Sequence, residues 1–291
     1  MPQTPVATDT AESSRPVGSR PAWHSDALLC AVLSGLAILF TLPFLWLVLT
    51  SLKPPADVFS SSWLPSEWYV KNYTDVFRDA SVERWLWNSF QIAILGVVSV
   101  VFSSALVAYG FARLRFRGRK QLFALVIGTY MIPSAVTMVP TFLIWNELGL
   151  IGTFYPLWAG NLFGSAFYIF MLRQFLMAIP QDMVDAARVD GASYMRIFWG
   201  IMLPLIKPAL AAVAVFEFQA KWNDYMTPLI YLNKPSQYTM SLGLGTFKTD
   251  FETQWSLMMA ASVIFTLPMV ALFFFAQRYF IEGISTTGIK G

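Results

Sequence analysis

Six stretches of about twenty or more predominantly apolar residues, each bounded by charge or by turn-forming residues, constrain this chain more than any motif does. They run from about Ala27 to Ser51, Trp85 to Ala112, Gln121 to Trp145, Tyr155 to Met177, Ile206 to Leu232 and Leu257 to Phe280. A bilayer core takes about 20 such residues per helical span. The runs are continuous, whereas strands of a membrane barrel would alternate over segments of about 10 residues. The expected fold is therefore all-α, a polytopic membrane bundle of six transmembrane helices. With 56% hydrophobic and only 13% charged residues among 291, an ordinary soluble domain is excluded.

One cysteine, Cys30, and one histidine, His24, leave no disulfide framework and too few soft ligands for a metal site. The net charge of +3 fits membrane topology better than nucleic acid. Lys and Arg gather on cytoplasmic loops, and the loop Arg113 to Lys120 holds five basic residues in eight, against none between Asn146 and Phe154. Both termini are thus expected in the cytoplasm, with the protein in a bacterial inner membrane. Residues 1–25 read as a disordered tail, 26–84 as the first span with an outer interfacial segment rich in Trp and Tyr, 85–281 as a five-helix core, and 282–291 as a cytoplasmic C-terminal tail. The first apolar stretch is too long for a cleaved signal and reads as a retained span.

Residues 180–204, between the fourth and fifth runs, are too structured for a plain connector. Pro180 can open a helix and Asp182 suits its first turn, so a helix is expected from Gln181 to Val189. Gly191 permits a sharp turn. A second short helix from Ser193 to Met202 would present Met195, Phe198, Trp199 and Met202 on one side, ended by Pro204. Small residues at Ala186 and Ala187 would let this knob enter a groove on another protein; the plainer alternative is that it caps the bundle.

The pattern Asp185-Ala186-Ala187, Asp190-Gly191 and, nine residues on, Ile201-Met202-Leu203-Pro204 resembles the EAA coupling motif of binding-protein-dependent ABC importer permeases, with Asp185 where Glu is usual. Asn88-Ser89, Ala108-Tyr-Gly-Phe-Ala-Arg-Leu, Trp222-Asn223-Asp224 and the ending Glu282 to Gly291 extend the likeness to the MalG-type permeases of carbohydrate uptake. The resemblance implies that Asp185, Ala186, Ala187, Asp190, Gly191, Ile201, Leu203 and Pro204 couple this chain to an ATPase. It implies further partners as well: a second homologous permease, two ATPase subunits and an external substrate-binding protein. No G-x-x-x-x-G-K-[ST] loop is present, so ATP and Mg are expected on the ATPase chain and no cofactor or catalytic residue on this one.

Glu217, Lys221 and Asp224 fall on one stripe of the fifth run, where bare charges in lipid would cost about 2.5–3.5 kcal/mol each. Together with Gln219, Trp222, Asn223 and Tyr225 they are candidates for lining a sugar pathway; a local ion pair between Glu217 and Lys221 is the structural alternative. The loop 233–255 reads as a flexible polar segment, and its Gly243, Gly245, Lys248 and Asp250 are candidates for touching the binding protein, as the resemblance implies. An ion-driven secondary transporter using the charged stripe is the competing class. The lack of recognisable broken helices in matched repeat halves counts against it.

Overall fold

The computed structural model describes the backbone of residues 22–248 and 253–287, with side chains for 27–78, 80–248 and 253–277. The expected N-terminal tail up to residue 21, Asp250 in the loop and residues 288–291 lie outside the described residues. Packing separates residues 1–46 from 47–291. The first unit is described by most of one helix, α1 (Ala22–Ser51), whose apolar side chains Leu28, Leu33, Ile38 and Phe40 are exposed.

In the second unit, Ser51 ends α1 and the chain turns through a 3-10 segment (Pro55–Asp57) into α2 (Lys71–Asp79). The Asn72 amide donates to the carbonyls of Ser51 (2.8 Å) and Lys53 (2.9 Å), and fastens this outer segment to the end of the first span. Trp63, Trp68 and Trp87 are exposed, as rings at a headgroup layer would be, while Trp85 is buried.

The central element is α3 (Val82–Arg113), a single helix of 32 residues. Its buried face includes many small residues, among them Ala93, Gly96, Ser99, Ser103, Ser104, Ala105 and Ala108, which let neighbouring helices approach closely, together with Trp85, Ile92, Val100, Tyr109 and Phe111. Ile94, Leu95, Val98 and Phe102 point outward.

The third apolar run is not one helix. It divides into α4 (Arg119–Tyr130) and α5 (Ser134–Glu147), bent by 97°. Pro133 supplies no N–H and forces Ile132 out of helical geometry, a break that an apolar average cannot register. The fourth run is broken too. It starts as α6 (Tyr155–Trp158), tightens to 3-10 geometry (Ala159–Phe163), turns at Gly164 with φ +79° and resumes as α7 (Ala166–Ala178).

After α7 come α8 (Gln181–Val189), α9 (Tyr194–Ile197), a π turn (Phe198–Met202) and α10 (Leu203–Leu205). The fifth run then forms α11 (Lys207–Asn223), ends at an extended Asp224 and restarts as α12 (Met226–Tyr231). The loop beyond it holds α13 (Met240–Leu244), and α14 (Trp255–Thr287) completes the described chain.

Ala27–Ser51, Val82–Arg113 and Trp255–Gln277 are each long and apolar enough to cross a membrane; three further pairs qualify only as bent spans. Among the described residues there is no strand, only an isolated bridge between Lys248 and Thr253. The main core joins α3, α7, α8, the π turn and α11 through Ala108, Tyr109, Leu172, Leu176, Val184, Ile197, Phe198, Met202 and Val213.

Candidate functional site

The helix α8 begins and ends where Pro180 and Gly191 place it, and its axis turns 75° from the preceding span. Its end is a Schellman motif: Ala192 N donates to the Ala187 carbonyl (2.9 Å) and Gly191 N to that of Arg188 (3.0 Å). Gly191 holds φ +80°, a conformation that costs a side chain about 1–2 kcal/mol. The spacing from Ala187 to Gly191 is thus a backbone requirement. Ala187 and Ala192 pack partly against the core, which closes the motif on its apolar side.

Val184 is buried and anchors α8, whereas Asp182, Asp185, Ala186 and Val189 lie exposed along one stripe, Val189 with 88% of its surface open. The second arm departs from expectation. Phe198 and Met202 are fully buried, but Met195 and Trp199 are about half exposed, so the four do not form one face. The cause is the π turn: Pro204 cannot donate to Gly200, and Leu203 N instead reaches back five residues to the Phe198 carbonyl. Pro204 lies within α10, which continues to Leu205, rather than ending the arm. Ile201 and Leu203 are partly covered and Pro204 is exposed.

Sequence reasoning missed what holds this knob. The Arg113 guanidinium donates to the carbonyls of Ile179 (2.6 Å) and Leu176 and to Gln181 Oε1 (2.7 Å), at the elbow between α7 and α8. Gln181 in turn donates to Asp185 Oδ1 (3.1 Å). One turn earlier on α3, the Tyr109 hydroxyl donates to the Tyr194 carbonyl (3.0 Å) at the start of α9. Arg188 lies over the Tyr194 ring, 4.3 Å from its centre, and donates to its hydroxyl. The i, i+4 spacing of Tyr109 and Arg113 was the available signal.

The charged stripe of α11 does not stay together. Glu217 and Lys221 pair at 3.8 Å and are largely buried. Lys221 donates to the Leu157 carbonyl (2.7 Å), while Asn161 donates to Glu217 (2.5 Å) and to the Gly96 carbonyl (3.2 Å). These contacts tie the broken fourth span to α3 and α11. A Cβ on Gly96 would come within 3.1 Å of Lys221 Cγ, so the glycine leaves room for the crossing lysine.

Asp224 turns aside to cap α12, its Oδ1 accepting from Thr227 N (3.0 Å). Trp222, a candidate for stacking on a sugar, is fully buried: its ring stacks between Phe218 and Phe265 and its Nε1 donates to the Phe265 carbonyl (3.1 Å). It is a core residue. Gln219, Asn223 and Tyr225 remain exposed.

The loop after α12 is more ordered than expected. Trp85 Nε1 donates to the Pro235 carbonyl (3.0 Å), Asn88 Nδ2 to those of Ser236 (3.1 Å) and Tyr238 (3.0 Å), and Met240 N donates to Ser89 Oγ (2.8 Å). Gly243 is buried with the Trp85 indole where a Cβ would stand, so it shapes the loop instead of offering surface. Gly245 and Lys248 are exposed.

The described fold resembles that of a solved bacterial ABC transporter that imports alginate, with a TM-score of 0.79 at 23% identity over 91% of this chain and all of that one. In sequence, the chain is 34% identical to the osmoprotective compounds uptake permease GgtD of Synechocystis sp., over 92% of this chain and 93% of the relative. It is 33% identical to the arabinooligosaccharides transport permease AraQ of Halalkalibacterium halodurans, over 91% and 96%. It is 30% identical to the lactose transport permease LacG of Rhizobium radiobacter, over 89% and 94%. A family model matches residues 101–286, which include α8, Gly191 and the whole charged stripe, and the chain belongs to the family described as binding-protein-dependent transport system inner membrane components.

Proposed function

We propose that this permease serves the uptake of an oligosaccharide or a related polyhydroxylated solute, driven by an ATPase that docks on α8. Family membership makes the chain a membrane subunit of an ABC importer whose ATP is hydrolysed on a separate subunit, and leaves the ion-driven alternative without support.

The observation that supports ATPase docking is the geometry of α8. It is anchored by Val184, fixed at its end by backbone hydrogen bonds, and open along Asp182, Asp185, Ala186 and Val189. Two acids and a methyl group make a narrow ridge that admits close approach by a cleft carrying basic or amide groups. ATP and Mg belong on that partner. A second permease completes the pathway, because one such bundle leaves Gln219, Asn223 and Tyr225 facing outward. These three are the lining candidates left open to touch a solute, and Gly245 and Lys248 those left open to touch the binding protein. The basic loop 113–120 and the knob face the cytoplasm in this assignment. The five-helix core from residue 85 carries transport.

The decisive variant is Ala186→Trp in the complete transporter. Ala186 is exposed, so the bundle keeps its thermal midpoint, while the ATPase no longer co-purifies and uptake falls by about tenfold or more. Retained ATPase and normal uptake would remove α8 from the coupling role.

A further inference from the structure

We infer that α3 is a strut that ties the binding-protein side of this permease to its ATPase side, with Trp85, Asn88 and Ser89 gripping one end and Tyr109 and Arg113 the other. Both clusters belong to segments, Asn88-Ser89 and Ala108 to Leu114, that the docking reading leaves without a role.

Each end grips main chain. Near Val82, the side chains of Trp85 and Asn88 donate to the carbonyls of Pro235, Ser236 and Tyr238, and Ser89 accepts from Met240 N. Near Arg113, Tyr109 and Arg113 donate to the carbonyls of Tyr194, Ile179 and Leu176. Displacing either segment therefore displaces the helix, through bonds made mostly to main chain. At 1.5 Å per residue α3 spans about 48 Å, enough to pass from one face of a bilayer to the other.

Stiffness distinguishes α3 from the other helices that can cross alone. Helices α1 and α14 contain Pro43 and Pro268, whereas α3 contains no proline. The bent pairs cannot carry an axial displacement across their breaks of 75° to 97°. Further along, Ser103 donates to the Asn161 carbonyl (2.8 Å) and Ser104 accepts from Ser165 N (3.1 Å), so a displacement of α3 also reaches the broken fourth span. A rigid element biased from both ends couples them reciprocally: what the binding protein does to the ATPase, the ATPase does to the binding protein.

The inference rests on the reading that α8 meets the ATPase and residues 235–248 the binding protein. The test uses the complete transporter in liposomes, comparing ATP hydrolysis without and with saturating binding protein. The binding protein is loaded with lactose, arabinotriose or diacetylchitobiose, whichever gives the largest response in the unaltered transporter. Asn88→Asp replaces the donor with an acceptor, and Tyr109→Phe removes one hydroxyl from a ring still packed on Phe198.

Each single variant is expected to lower the stimulated-to-basal ratio about fivefold or more while subunit composition is retained. The double variant should be no lower than the weaker single, since a strut released at one end is already disconnected. Unchanged ratios in both singles, or a double equal to the product of the singles, would overturn the inference. Should Asn88→Asp fail to assemble, Ser89→Ala carries the same expectation. Failure of the docking reading is separate, because it is scored by ATPase retention in Ala186→Trp.

Discussion

Lys221 is the residue whose chemistry changes most between lipid and protein. Its ammonium crosses over Gly96 to the Leu157 carbonyl while pairing with Glu217, so both charges are held by backbone and amide groups. Removing one charge strands the other. Lys221→Met is expected to destabilise the folded subunit by about 3–5 kcal/mol, whereas Glu217→Gln with Lys221→Met together should be close to neutral. Thermal unfolding in detergent separates the two, and uptake by the double variant reports on function. Near-normal uptake marks the pair as structural; lost uptake in a stable double variant returns it to the pathway. The periodicity of Glu217, Lys221 and Asp224 was legible in the sequence. Their partners were not, because a 3.6-residue repeat says which residues share a face and not which neighbour meets it. Trp222 illustrates the same limit: its aromatic ring suggested stacking on a solute, and it stacks instead on Phe218 and Phe265.

At the scale of elements, α8 was legible from residue 181 to 189 because its boundaries are set locally, by Pro180 before it and Gly191 after it. Gly191 meets no atom that a Cβ would strike, so its requirement is conformational alone. Gly191→Asn, which tolerates the left-handed region, is expected to keep most of the uptake rate. Gly191→Val, strained by about 1–2 kcal/mol or more, should disorder the turn and lower uptake several-fold without loss of the protein from the membrane. Equal uptake by both variants would show that the turn geometry is not needed. The breaks in the third and fourth runs were hidden for the opposite reason. Met131-Ile132-Pro133 and Gly164 interrupt helices without interrupting apolarity, and a hydropathy window sees only the second property. The π turn was equally hidden, since it follows from Pro204 acting on a bond four residues upstream.

For the whole molecule, the apolar stretches gave the class of fold, and the spacing around Asp185 gave the family to which the chain belongs. The proposed orientation, with the basic loop 113–120 in the cytoplasm, is directly testable. A single cysteine at Lys120 should react with an impermeant maleimide only in inverted vesicles, and one at Lys234 only in intact cells, provided Cys30 is first replaced. The reverse pattern would exchange the two ends of α3. Because that helix holds main-chain groups at both ends, exposed side chains of the segments it grips can differ without loosening it, whereas Gly243, packed on Trp85, cannot. Such an arrangement is modular. If residues 235–248 meet the solute receptor as proposed, a lineage changes which receptor it answers to by altering the outer surface of that segment and keeps unaltered the part that relays the message.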